Sequence, residues 1–356
     1  MKPSIIFLFP YPLHEAPSQR FRFVQYLEIL KQQGYRYETH SYLSDNAWKI
    51  LYQPGRFFSK FLRIIRGYIN RLTLLPKINS FDYVFIHREA APLGPPLIEF
   101  LIAKVLRKKI IYDFDDAIWL PNYSESNKFF SFLKRYSNSK TICRWAYKIS
   151  CGNDYLCRFA RNYNNNVIYN PTTIDTENYH NRVSNQDKDV FVIGWTGSHS
   201  TTRYLNEIIE VLGRLEKKYR FELHVIADIA PNINLNSMRF IKWTKQNEIN
   251  DLLQFSIGIM PLKDDQWASG KCGFKALQYM ALGIPALVSP VGVNTKIVDD
   301  GINGFICKSD EDWERNIEQL ILNRERLLNM SEMTRKKIVD KYSVKSNTDN
   351  FLSLFS

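Results

Sequence analysis

Two series of short apolar runs, each interleaved with longer amphipathic segments, constrain this 356-residue chain more than any other feature. The first series predicts strands at 4–9, 83–87, 109–114, 148–151 and 166–169. The second predicts them at 190–195, 222–227, 239–243, 256–260, 285–289 and 304–307. These runs are rich in Val, Ile, Phe and Tyr and lack polar alternation, as strands covered on both faces do. Their alternation with helices predicts parallel sheets built from βαβ units. The stretch TENYHNRVSNQDKD at 176–189 is polar, turn-prone and aperiodic, and it separates the two series. The expected architecture is therefore α/β, with two doubly wound domains. The first covers 1–172 and the second 189–340, with a linker at 173–188 and a final helix at 341–356 that Ser343 would cap. In such sheets ligands sit at the carboxyl ends of the strands. A cleft faced by both domains is the expected site.

The bulk composition narrows the classes. With 45% hydrophobic residues the chain can build two sizeable cores. Its net charge of +12 suits an anionic partner: nucleic acid, an anionic membrane surface or a phosphorylated small molecule. Cys143, Cys151, Cys157, Cys272 and Cys307 match no zinc or disulfide spacing and read as reduced, buried thiols. No apolar run approaches the roughly 18–20 residues of a membrane span. The opening MKPSIIFLFPYPLHEA is short, contains prolines and lacks a small-residue cleavage site, so it reads as a first strand rather than a leader. A cytoplasmic protein is the expectation.

The stretch SGKCGFKALQYMALGIPALVS at 269–289 reads as a glycine-rich loop, a helix and a buried strand, with Gly283 ending the helix. Lys271 precedes the helix and Lys275 lies in its first turn. A helix N-terminus carries partial positive charge and prefers anions. Either both lysines point into solvent, or an anion such as a diphosphate sits between them and the free N–H groups. A second strand-turn-helix, VIGWTGSHSTTRYLNEII, begins the second domain. Gly197 permits close backbone approach, Ser198, Ser200, Thr201 and Thr202 can cap the helix or bind phosphate oxygens, and Arg203 lies in the first turn. The loop is neither a dinucleotide fingerprint nor a Walker loop.

In the first half, YDFDDAIWL places Asp113, Asp115 and Asp116 after a strand. Asp113 and Asp115 would share a strand face and could bind a divalent ion, or the cluster caps the next segment. Pro17 and Ser18 suit a helix start, which brings Arg20 and Arg22 to an anion-preferring end; they either bind phosphate or pair with surface carboxylates. His87, Arg88 and Glu89 lie at another strand end. Residues 55–77 are basic and aromatic. Arg56, Lys60 and Arg63 fall on one helical face, and Phe57, Phe61, Ile64, Tyr68 and Leu72 on another. That pattern suits either a helix on an anionic membrane or one packed on its own domain. The aromatic and basic stretch 129–148 lies downstream. No Ser-His-Asp arrangement, zinc spacing or nucleic-acid module is present, so nucleic acid is not an expected partner.

GKCGFKALQYMALGIPALVSPVGVNTKIVDDGINGFIC resembles the signature region of family 4 glycosyltransferases, and the likeness extends to VIGWTGSHSTTRYL, FSIGIMPL, APSQRFR, HREAAPLGPP and YDFDDAIWL. The resemblance implies the GT-B fold of two Rossmann-like domains. It also implies transfer of a sugar from a nucleotide-sugar donor with retention of configuration, usually without a metal or other cofactor. Residues matching the donor side are Gly197, Ser198, Arg203, Lys271, Lys275, Gln278 and Gly292. Asp115 and Lys271 take the catalytic positions, and Arg20, Arg22, His87 and Arg88 fall on the acceptor side. The expected acceptor is a glycan or lipid-linked glycan; the basic and aromatic residues 55–77 would suit peripheral contact with an anionic membrane carrying it. The chain departs from the family where two glutamates usually stand: Gly270 and Gln278 occupy those places. Many relatives carry a histidine where Asp115 stands. The rival expectation is a non-catalytic binding subunit that keeps the fold.

Overall fold

A computed structural model describes residues 2–51, 55, 57–121 and 135–356. The chain divides into two compact units. Unit 1 comprises Met1–Thr172 with Thr348–Ser356, and unit 2 comprises Thr173–Asn347. Each unit is built on one six-stranded sheet in which every neighbouring pair is parallel.

In unit 1 the strands are β1 (Ser4–Phe9), β2 (Arg36–Ser41), β3 (Tyr83–His87), β4 (Lys109–Phe114), β5 (Lys148–Cys151) and β6 (Val167–Tyr169). Their order across the sheet is β2-β1-β3-β4-β5-β6. Strands β1, β3 and β5 are buried along their whole length, which is why they read as unbroken apolar runs. Strand β2 escaped the sequence reading. Its sequence RYETHS has no apolar run because it is an edge strand, exposed or half-buried throughout. The C-terminal tail returns to this unit as a short helix, Thr348–Leu352, with Phe351 stacked on Tyr26 at 4.1 Å. Ser343 accepts a bond from the Ser346 amide at 3.0 Å, so it caps a 3₁₀ turn rather than one long helix.

In unit 2 the strands are β7 (Phe191–Thr196), β8 (Phe221–Ala227), β9 (Met238–Lys242), β10 (Ile257–Met260), β11 (Ala286–Val288) and β12 (Gly304–Ile306), in the order β12-β11-β10-β7-β8-β9. The order reverses between β7 and β10, the kind of switch point where open α/β sheets bind ligands. Residues expected as a linker are part of this unit. Ile174, His180 and Ser184 are buried, and Ser184 donates its amide to the Leu282 carbonyl at 2.7 Å. The segment's polar composition suggested a linker because many of its residues face solvent, while Thr176, His180, Ser184 and Gln186 are buried in this unit.

The helix Phe57–Ile78 also departs from expectation. Its inward residues are Gly67, Arg71 and Ile78. Gly67 lies against the Tyr42 ring, and Arg71 donates to the carbonyls of Ala90, Phe9 and His40 at 2.9–3.1 Å. Tyr42 donates its hydroxyl to the Ile64 carbonyl at 2.6 Å, and its ring sits 5.9 Å from Tyr68. Ile64 and Tyr68 therefore do not belong to the outward apolar face. Arg56, the Phe57 side chain and residues 129–134 lie outside the described residues. Among the described residues no helix is long and apolar enough to cross a membrane.

Two central strands of unit 2 carry glycine where the neighbouring layer comes closest. A Cβ on Gly194 of β7 would lie 1.9 Å from the Phe255 ring, and one on Gly258 of β10 would lie 2.2 Å from Tyr279. Both rings are fully buried and have no room to retreat. Gly194→Ala is expected to lower the unfolding free energy by about 1–3 kcal/mol through overpacking, measured by urea denaturation.

Candidate functional site

Strand β7 delivers the first element of the site. Gly197, just past its end, donates its amide to the Ile226 carbonyl at 3.0 Å. A Cβ there would fall 2.4 Å from Trp195 and 2.7 Å from the Thr201 hydroxyl, so only glycine fits. The loop that follows is tied to itself and to the end of β8. Ser198 donates its amide to Thr201 Oγ1 at 3.2 Å, Thr202 donates its hydroxyl to the His199 carbonyl at 2.7 Å, and the His199 amide and Nδ1 each lie 2.6 Å from Asp228. Ser198, Ser200 and Arg203 remain on the exposed side. The Ser/Thr cluster therefore caps and stiffens the loop before it can bind anything.

Strand β10 delivers the second element. A short helix, Gln266–Ser269, is capped by Asp265, which accepts the Ala268 amide at 2.7 Å. The chain then turns through Gly270 to Gly273, whose left-handed φ of +69° makes it the N-cap of the helix Phe274–Ala281. A glycine cap offers that first turn no side-chain acceptor. Lys271 places its Nζ 6.0 Å from the Tyr204 ring and 5.8 Å from the Trp267 ring. Lys275 places its Nζ 4.8 Å from the Trp195 ring. Gly292, with φ +60°, brings a third loop in: a Cβ there would lie 3.0 Å from the Ser269 carbonyl.

These contacts collect Gly197, Lys271, Lys275 and Gly292 at the β7–β10 switch point. The electrostatics there are one-sided. Burial, and after it the neighbouring Lys271 charge, push the Lys275 amine down to about 7. No ion pair to Lys275 exists among the described residues; only the Trp195 ring face lies against it. Two polar groups of the same region also have no bond among the described residues: the Trp195 indole N–H and the Tyr204 hydroxyl. Gln278 sits one turn beyond Lys275, buried, with Nε2 bonded to nothing among the described residues. The arrangement can bind an anion larger than a single carboxylate.

Trp195, Tyr204, Asp228 and Tyr279 were not singled out from the sequence. Tyr279 accepts the Thr196 amide at 2.9 Å and so ties the lysine-bearing helix to the end of β7. The aromatic residues beside the strand-end glycines were the available signal, since a ring held over a backbone needs a neighbour without a side chain.

Unit 1 corrects part of the acceptor-side expectation. Arg22 and His87 are 1% and 0% exposed and both bond Asp113. His87 Nδ1 lies 2.7 Å from one carboxylate oxygen, and Ser150 donates its hydroxyl to the other at 2.6 Å. They form a buried polar core that solvent does not reach. Arg20 is buried too, beside the Phe21 ring. Burial alone would raise the Asp113 carboxyl, but the Arg22 charge and the His87 bond hold it well below the usual carboxylate range. Arg88, whose φ is +61°, pairs with Asp115 and Asp116 at 2.7 Å each. Asp113 and Asp115, for which a divalent ion is one alternative in the sequence, have separate arginine partners. Asp115, Arg88 and Asp116 retain 13%, 21% and 24% side-chain exposure and are the more accessible charged groups of this cluster.

Residues 177–337 match the family model described as Glycosyl transferases group 1. A glycosyltransferase from Rickettsia africae has a similar structure, at 13% sequence identity and TM-score 0.70, covering 99% of this chain and 98% of that one. Sucrose-phosphate synthase from Thermosynechococcus elongatus aligns at 11% identity and TM-score 0.71, covering 100% and 98%. HepE of Anabaena, solved in complex with UDP-glucose, aligns at 12% identity and TM-score 0.64, covering 99% of both chains. Likeness at these identities is likeness of fold. No curated protein matches the chain.

Two outcomes follow from the charges. Asp113→Asn leaves the buried Arg22 guanidinium unpaired and is expected to cost about 3–5 kcal/mol at pH 7 by urea denaturation. The native carboxyl titrates below its unfolded value, so this contribution is present above about pH 4 and fades as pH falls further. The wild-type and variant curves should converge in acid. For Lys275 the slope has the same sign in a different window, because its folded pKa of about 7 also lies below its unfolded one. Between about pH 7 and pH 10 the folded state binds fewer protons, so stability rises with pH in that window. Sulfate, whose charge is constant there, should bind about tenfold more weakly at pH 8 than at pH 6, as the charged lysine becomes scarce. Lys275→Met should bind sulfate weakly at both values, measured by calorimetry.

Proposed function

We propose, for a chain that belongs to the group 1 glycosyltransferases through residues 177–337, that it moves a sugar from a nucleotide-sugar donor to a glycan or lipid-linked acceptor. The transfer retains the anomeric configuration and uses no metal. Its setting is the synthesis of a cell-surface polysaccharide or lipopolysaccharide, on the cytoplasmic side. The observation that carries this reading is Lys275, buried against the Trp195 ring with no ion pair among the described residues, beside Lys271 at the β7–β10 switch point.

The chemistry fits that pair. As the sugar–phosphate bond breaks, negative charge on the leaving diphosphate grows. Fixed cations stabilise that charge more in the transition state than in the ground state. We assign Lys271 and Lys275 to the diphosphate, Gly197 and Gly292 to close backbone approach, and Gln278 to a ribose hydroxyl. Ser198 and Arg203, on the exposed side of their loop, are assigned to the outer edge of the donor. In unit 1, Asp115 held by Arg88 is assigned to a sugar or acceptor hydroxyl. UDP is the first nucleotide to test, since HepE was solved in complex with UDP-glucose.

A second reading rests on Gly270 and Gln278, which stand where the resemblance leads one to expect glutamates. It holds that the chain binds a nucleotide without turning a sugar over. Thermal shift against UDP, GDP, ADP, CDP and dTDP, with magnesium or with EDTA, addresses the first step. A nucleotide at 100 times its dissociation constant stabilises by about 2.7 kcal/mol, or roughly 5–10 °C. One nucleotide should give this shift with or without metal, and Lys271→Ala should abolish it. No shift from any of them would overturn the donor assignment. A shift without hydrolysis of the matching nucleotide sugars would select the second reading.

A further inference from the structure

We propose that the outward face of the helix Phe57–Ile78 is a docking surface for an anionic lipid bilayer, an inference that goes beyond the transfer reaction and does not rest on it. Phe58, Phe61, Leu62, Ile65, Ile69 and Leu72 are all exposed, from 39% at Ile65 to 72% at Phe58. At helical spacing they fall within a stripe about 100° wide, and from 58 to 72 they run for about 21 Å. An ordinary surface helix turns such a stripe inward. This one turns inward Gly67 and Arg71, with Gly67 against the Tyr42 ring and Arg71 bound to three carbonyls. The helix is anchored by polar bonds, and its apolar side chains are spent on the surface. Patches of this kind mark interaction sites.

Charge selects the occupant. The helix holds five Lys or Arg and no Asp or Glu; Arg71 is turned inward and Lys77 pairs with Glu38, so Lys60, Arg63 and Arg66 are the three that remain. Arg66 is exposed at the edge of the stripe. The surplus extends beyond the helix: residues 1–172 hold 25 of the 48 Lys and Arg and 12 of the 36 Asp and Glu, while residues 173–356 hold 23 and 24. The positive balance of the chain thus lies wholly in its first half. A second copy pairing through this stripe would set like charges against each other. An anionic headgroup layer takes both parts of the surface, with apolar side chains in the acyl boundary and cations among phosphates.

The test is flotation of the full chain with vesicles of phosphatidylcholine alone or with about one-third phosphatidylglycerol. Wild type should float with the anionic vesicles and about tenfold less with the neutral ones, and salt should release it. Phe61→Ser/Ile65→Ser/Ile69→Ser should lose binding about tenfold, and Arg66→Glu should weaken it. These positions are exposed, so melting temperatures and nucleotide-induced shifts should stay as in wild type. That second readout separates failure here from failure of the donor site. Wild type that stays with the pellet, or a triple variant that floats as well as wild type, would overturn the proposal. So would concentration-dependent self-association in ultracentrifugation that the triple variant abolishes, since the stripe would then belong to a second copy.

Discussion

Tyr279 is the contact on which the geometry of unit 2 depends. Gly258 in β10 removes the side chain that would block its ring, so the helix Phe274–Ala281 lies close against the sheet. Its hydroxyl then reaches the end of the adjacent strand and takes the Thr196 amide. One residue thus sets the distance between the lysine-bearing helix and the Gly197 turn. Lys275, one turn earlier, is carried over the Trp195 ring by the same placement. A cation that is poorly hydrated and unpaired is held there by packing, and packing is what keeps it from turning out to solvent.

Much of this was readable in the sequence, and what was not has physical reasons. The central strands announced themselves because both faces are covered. Strand β2 did not, because an edge strand with RYETHS needs only backbone partners on one side. Lys271 and Lys275 were conspicuous because cations at a helix start break a local electrostatic rule, and a broken rule is visible in a linear string. The Asp113 hub was invisible for the opposite reason. Arg22, His87, Ser150 and Asn170 come from four separate segments, and only the sheet brings them around one carboxylate. Periodicity alone also assigned Ile64 and Tyr68 to the apolar face of the long helix. The contacts with Tyr42 decide that face, and no spacing rule contains them.

The two units treat buried charge differently, and the difference separates scaffold from site. In unit 1 the buried guanidinium of Arg22 meets Asp113, and Arg88 meets two aspartates. The Arg22–Asp113 hub is complete without a ligand and contributes structure, and Arg88 fixes Asp115 in place at the partly exposed edge of the unit. In unit 2, Lys275 has an aromatic face and a second lysine for neighbours, and its protonated form is disfavoured. A fold gains nothing in stability from that arrangement; Met at the same place would pack as well without the desolvation cost. The cost is recovered only when an anion arrives, because the ligand supplies the missing partner. Bulk charge does not explain it either, since residues 173–356 are almost balanced. The local surplus in unit 2 is therefore placed rather than inherited. It stands at the point of the sheet where strand order reverses, close to the Gly197 turn.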